Sequence, residues 1–148
     1  MKGILLETDL IAEYLTAGPG HIPLMRRLLE TVTCYTTFLQ AAEIYSAARN
    51  DEERRNVEKA LFGLKILGAS SRYAKTIALV LSSEGRMRGH RTAVVAAMAI
   101  ESGLPVVTEE YLPDLSDIPG LHIIPASSLR ERPDHVSLAE ALLMDPSG

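Results

Sequence analysis

Apolar residues along this chain come in short blocks separated by amphipathic stretches. Gly3 to Leu6, Val32 to Thr36, Val106-Val107 and Leu121 to Ile124 are brief aliphatic or β-branched runs, and each predicts a short strand. Helical spacing fills the intervals: Leu10 to Thr16, Pro23 to Glu30, Phe38 to Ala48, Glu52 to Leu64, Tyr73 to Ser83 and, near the end, Val136 to Met144. Start and stop signals agree with these bounds. Gly18-Pro19-Gly20 ends the first helix, Pro23 opens the second, and Thr37 and Asn50-Asp51 cap the next two. Thr8 or Asp9 is the expected cap of the first helix. Lys65 to Ala69 reads as a connector, Glu84 to Arg91 as a polar run, Tyr111 to Ile118 as a short turn or helix, and Pro125 to Asp134 as a polar loop.

The most apolar interval, Arg91 to Glu110, organises the rest. No charge falls between Arg91 and Glu101, and a helix apolar on every side is covered on every side. Gly103 supplies a left-handed residue to end it, and Pro105 blocks any continuation. Val106-Val107 then forms a buried strand that stops at Thr108, Glu109 and Glu110. Strands alternating with helices predict an α/β fold, a three-layer α/β/α sandwich with a mainly parallel central sheet. Right-handed crossovers collect the carboxyl ends of the strands on one edge, where open sheets of this class place their chemistry.

Bulk properties narrow the class. With 148 residues the chain is expected to form a single domain over 1–148, with a short helical extension at about 125–148. Cys34 is the only cysteine, which excludes a disulfide scaffold or a cysteine-rich zinc site, and its apolar surroundings predict a buried, inert thiol. A net charge of -4 argues against a general nucleic-acid coat protein but allows a local basic groove. No stretch predicts a signal peptide or a transmembrane helix, so the expected location is cytoplasmic and no membrane partner is expected.

Three sequence-distant places bring acids to the expected edge. Glu7 and Asp9 follow the first strand. Glu109 and Glu110 follow Val107, with Asp114 one helical turn further. Glu43 is the only charged residue from Thr31 through Ala48, inside a helix that otherwise reads as core. A solitary carboxylate there must be paired or metal-bound. Clustered hard oxygen ligands suit Mg²⁺ or Mn²⁺. The other readings are that Glu7 and Asp9 serve the helix N-terminus, that Glu43 pairs with an arginine, and that Glu109 and Glu110 lie in a solvated loop. Arg86, Arg88 and Arg91, around His90, lead into the central helix and are candidates for holding phosphates. The four histidines show no metal-ligand spacing. A dinucleotide fingerprint, a P-loop and a nucleophile elbow are all lacking in the sequence.

In order, these residues resemble a PIN domain of the VapC toxin type, over roughly Lys2 to Ile124. Leu5-Leu6-Glu7-Thr8-Asp9 is similar to the family's opening Leu-Leu-Asp-Thr-Asn or Asp-Thr-Asp. Ala42-Glu43-Ile44-Tyr45 is similar to its second acidic motif. Thr92-Ala93-Val94-Val95-Ala96-Ala97-Met98-Ala99 follows Asp-Ala-x-Ile-Ala-Ala-x-Ala except at the first position. Thr108 to Leu115 resembles the closing Thr-x-Asn/Asp-x-x-x-Asp-Phe. The resemblance implies a Mg²⁺- or Mn²⁺-dependent endoribonuclease, the toxin of a toxin–antitoxin pair, acting on RNA, forming a homodimer and inhibited by an antitoxin protein. It implies Glu7, Glu43 and Glu110 as metal ligands, with Asp9 and Asp114 beside them as catalytic and metal-supporting acids; on that reading Arg86, Arg88 and Arg91 hold the RNA backbone and Thr92 offers it a hydroxyl. Glu7 and Thr92 stand where the family has Asp. The alternative is a PIN-like module without catalysis that binds RNA or a protein partner.

Overall fold

The computed structural model describes residues 2–83 and 88–143. Arg86 and the end of the last expected helix, Met144, therefore lie outside the described residues. The chain runs β1 (Ile4–Leu6), α1 (Thr8–Thr16), α2 (Leu24–Leu29), β2 (Cys34–Thr37), α3 (Phe38–Ala47), α4 (Asp51–Phe62) and β3 (Lys65–Leu67). It continues through a 3₁₀ turn (Ser71–Tyr73), α5 (Ala74–Leu81), α6 (His90–Ser102), β4 (Val106–Thr108), α7 (Leu112–Leu115), β5 (Ile123–Pro125), α8 (Ala126–Arg130) and α9 (His135–Leu143).

The five strands form one sheet in the order β3-β2-β1-β4-β5, and every neighbouring pair is parallel. From β1 the chain winds outward through β2 and β3, then returns to lay β4 and β5 on the other side. The direction reverses between β1 and β4, so a crevice opens beyond their carboxyl ends. Leu5 and Leu6 pair with Val106 and Val107 across it, which sets Glu7 one residue past β1 beside the turn that follows β4.

Strand alternation divides the core between the two faces of the sheet. Ile4, Leu6, Val107 and Ile124 join side chains of α1 to α4, α8 and α9 in one cluster. Leu5 and Val106 join Val80, Ala93, Ala96 and Ala99 of α6, and Leu115 in the other. The result is a three-layer α/β sandwich. Ala93, Val95, Ala96, Ala97, Met98 and Ala99 of α6 are all buried, as its uncharged sequence predicts. Gly103 ends the helix with φ 65°. Burial pushes the Cys34 thiol up to about 12, consistent with an unreactive core cysteine.

Three local expectations are corrected. Lys65 to Leu67, read as connector, is strand β3. It pairs only with β2 and is mostly exposed, and an edge strand of three residues led by a lysine carries no apolar run to reveal it. The loop from Pro125 to Asp134 contains α8, whose two buried residues, Ala126 and Leu129, sit three apart. Two apolar positions are too few for a periodic signal. The cap of α1 is neither Thr8 nor Asp9 but Glu7, whose side chain accepts from the Thr8 N–H.

Candidate functional site

The site is built at the ends of β1, β2 and β4. Glu7 leaves β1 and is completely buried. Thr37, at the end of β2, starts α3 with a reciprocal cap: its hydroxyl accepts from the Gln40 N–H, while Gln40 Oε1 accepts from the Thr37 N–H. This cap fixes the first turn of α3 and aims Gln40 at β1. Gln40 Nε2 donates to Glu7 Oε1 at 2.7 Å and to the Leu6 carbonyl at 3.2 Å. One turn along α3, Glu43 is half-buried on the same side.

Arg91, in the first turn of α6, enters between these two acids. Its Nη1 and Nη2 donate to Glu7 Oε2 and Oε1 at 2.9 and 2.8 Å. Its Nε and Nη2 donate to Glu43 Oε2 and Oε1 at 2.8 and 2.9 Å. The guanidinium thus makes two parallel forks, one end-on and one side-on, a geometry that its planar array of donors permits and a lysine ammonium does not. Nη2 also reaches the Thr8 hydroxyl at 3.3 Å. The guanidinium carbon lies 4.3 Å from the centroid of the Tyr111 ring, a cation–π contact that covers one face of the group. Tyr111 is held in turn by its hydroxyl, 3.1 Å from Thr8 Oγ1. Desolvation lowers the Arg91 pKa, but hydrogen bonds and charges from Glu7 and Glu43 outweigh it and push the group above its ordinary value. Arg91 is therefore a permanent cation here.

Asp9 has a different task. One oxygen accepts from the Thr108 hydroxyl at 2.9 Å, and the other accepts from the backbone N–H groups of Glu109 and Glu110 at 2.9 and 3.0 Å. Asp9 pins the turn after β4 to α1. Glu109 accepts from the Ser127 N–H at 2.7 Å. Glu110 and Asp114 are exposed. Arg88 is turned inward: its side chain is 1% exposed and meets Asp117 at 2.9 Å and Ser83 Oγ at 2.9 Å. Thr92 is half-buried beside Arg91. The fold thus brings Glu7, Glu43 and Arg91 together, sets Asp9 beside them as an anchor, and leaves Glu110 and Asp114 at the rim.

A divalent ion would have to use the oxygens that Arg91 already holds. Among the described residues no group of three or more His, Cys, Asp or Glu side chains could hold a metal ion. Glu7 Oε1 accepts from Thr8 N, Gln40 and Arg91 together, and both Glu43 oxygens face the guanidinium. As arranged, the donor set suits a guanidinium and does not fit Mg²⁺ or Mn²⁺, which require open carboxylate oxygens at about 2.0–2.2 Å. The partner reading of Glu43, a pair with an arginine, is what the structure contains. Gln40 belongs to the site as well, although the acidic pattern of the sequence does not single it out. Its signal was a second polar group three residues before Glu43 in an otherwise apolar helix.

No protein-family model matches the chain, and no curated protein matches it by sequence. Solved structures do. VapBC2 of Rickettsia felis, bound to a DNA fragment from its promoter, is 16% identical with a TM-score of 0.69, over 82% of this chain and 97% of that one. DNA-bound VapBC of Salmonella typhimurium is 26% identical with a TM-score of 0.68, over 85% and 99%. VapBC-5 of Mycobacterium tuberculosis, a toxin–antitoxin system, is 21% identical with a TM-score of 0.56, over 84% and 99%. In each case the match spans nearly the whole of the other chain. With the sheet order β3-β2-β1-β4-β5 and the acids at the ends of its central strands, this chain has a PIN-like fold similar to that of the VapBC structures.

Proposed function

We propose that the chain is a non-catalytic PIN-like module that works by binding a protein partner, of the kind that pairs with VapC-type toxins. The observation that carries this reading is the double fork of Arg91 on Glu7 and Glu43. An enzyme that hydrolyses phosphodiesters through a metal needs its carboxylates free to hold the ion. Here the two best-placed carboxylates are engaged by a cation on the same chain.

The similar structures support a protein partner, since they include a toxin–antitoxin complex from Klebsiella pneumoniae and a member of the VapBC family of toxin–antitoxin systems. RNA is the weaker alternative. Of the arginines expected to meet phosphates, Arg88 is buried against Asp117, and Arg91 spends its donors on carboxylates. Two experiments test the proposal. The purified chain, incubated with single-stranded and structured RNA in millimolar Mg²⁺ or Mn²⁺, is expected to leave the RNA intact. Cleavage that is lost on chelation and in Glu43→Gln would overturn the non-catalytic reading. Co-expression with the product of an adjoining small reading frame is expected to yield a stable complex by size-exclusion chromatography. Tight RNA binding without such a complex would transfer the function to RNA.

A further inference from the structure

We infer that the depression between the end of α1, the loop that follows it and α4 binds a nucleoside monophosphate, with the phosphate held by Arg26 and Lys59. This site is separate from the acidic centre and does not depend on the non-catalytic reading. α1 starts beside Glu7 and runs for nine residues, so its last turn lies roughly 13 Å away along the helix axis.

Three observations carry the inference. The first is charge. The depression has a volume of about 770 Å³, within the usual range of small-molecule sites. None of its thirteen lining residues is Asp or Glu, although the chain as a whole carries a net charge of -4. Arg26 comes from α2 and Lys59 from α4. Both are exposed, and among the described residues neither side chain has an ion pair or hydrogen bond. His21, also in the lining, faces Glu13 at 3.9 Å, but Glu13 is already neutralised by Arg130 at 2.7 Å and accepts from the Leu24 N–H at 3.0 Å. Two cations are thus left without a counter-charge. Together they match a phosphate monoester, with its charge of about -1.5 to -2, better than they match a single carboxylate.

The second observation is the apolar part of the lining. Leu15, Ile22, Pro23 and Ala60 contribute to it, and Ile22 is 63% exposed. A flat, weakly polar body such as a nucleobase covers this surface, whereas inorganic phosphate leaves it wet. The third is the neutral polar groups. Asn56 precedes Lys59 by three residues on α4, which puts both on one face. Its amide both donates and accepts, as a base edge requires and a phosphate does not, and Tyr14 adds a hydroxyl. A tight turn shapes the rim: Gly20 has φ 83°, and the His21 N–H donates to the Gly18 carbonyl at 3.2 Å.

The test titrates the full chain with AMP, GMP, CMP and UMP and follows its amide resonances. At millimolar concentration at least one of the four should shift the signals of Gly18, Gly20, Arg26 and Lys59 saturably and leave those of Glu7 and Arg91 in place. The matching nucleoside and inorganic phosphate should each bind at least about tenfold more weakly. Arg26→Gln and Lys59→Gln change exposed side chains without partners, so each should keep the thermal midpoint and weaken binding roughly tenfold. Arg54→Gln removes the same charge from α4 outside the depression, where Arg54 pairs with Asp51 at 2.7 Å, and should bind as wild type does. No saturable shift with any of the four nucleotides, inorganic phosphate that binds as tightly as the nucleotide, or an Arg54→Gln loss equal to that of Lys59→Gln would each overturn the inference.

Discussion

Glu7 and Glu43 hold the same guanidinium with the same kind of fork, yet their removal should differ several-fold in effect. Consider Glu7→Gln and Glu43→Gln, each of which keeps the side chain's shape. Glu7 is fully buried and its two oxygens receive Thr8 N, Gln40 Nε2 and both terminal nitrogens of Arg91. A glutamine there has one acceptor oxygen, and its amide nitrogen must face an N–H. The change loses a charge-assisted bond, roughly 1.5–3 kcal/mol, and leaves a donor unpaired, roughly 1–3 kcal/mol. Arg91 is itself 26% exposed and can recover part of this in water, so the expected net loss is about 3 kcal/mol. Glu43 is 38% exposed. Its pair is screened, and its loss should cost roughly 0.2–1 kcal/mol. For a chain of this size each kcal/mol moves the midpoint by roughly 3 °C, which gives a drop of about 9 °C for Glu7→Gln and at most about 3 °C for Glu43→Gln. Calorimetry at neutral pH measures both. Raised salt should shrink the Glu43 effect and leave that of Glu7 nearly unchanged. Equal losses, or a Glu7→Gln protein as stable as wild type, would refute the idea that burial makes Glu7 the anchor of the site.

Other substitutions probe the supports. Gln40→Leu removes the donor to Glu7 and the Leu6 carbonyl and the acceptor for the Thr37 N–H; urea unfolding should show a loss of about 2–4 kcal/mol, larger than an exposed polar-to-apolar change. Gly3→Ala would place a Cβ 2.6 Å from the Thr33 carbonyl oxygen and 2.6 Å from Tyr35 Cε1, so β1 must shift against β2, at a cost of about 1–3 kcal/mol in the same assay. At the start of α9, backbone and side-chain hydrogen bonds from Ser137 hold the Asp134 carboxyl below its ordinary range. A depressed folded value means that this support is present above the unfolded value of about 3.9 and disappears as pH falls through the folded one. The Ser137 amide resonance, followed through an acid titration, should shift with a midpoint below that of an Asp peptide; a midpoint at or above it would remove the cap from the account.

The fold was far more legible than the site, for a physical reason. Burial leaves long, redundant traces in a sequence. The uncharged run of α6, the β-branched pair Val106-Val107 and the Gly103 stop all point to one arrangement, and the structure contains it. Where burial is slight the trace vanishes, as at the exposed edge strand Lys65–Leu67. A site depends instead on which side chain crosses a gap, and that is a matter of reach and direction. Glu43 could be recognised as a carboxylate in need of a partner, since nothing else charged lies near it in the chain. Whether the partner would be an ion or an arginine could not be read from spacing, because Glu43 and Arg91 are 48 residues apart and meet only through the order of the strands. Arg91 also looked like one of several arginines in a polar run. Its neighbour Arg88 turns inward to Asp117, whereas Arg91 points to the crevice between β1 and β4. Three residues of sequence, from Arg88 just ahead of α6 to Arg91 in its first turn, separate a structural ion pair from the group that decides the chemistry of the centre. That difference falls at the start of α6, whose N-cap is Gly89, and the acids at Glu7 and Glu43 are what Arg91 meets there.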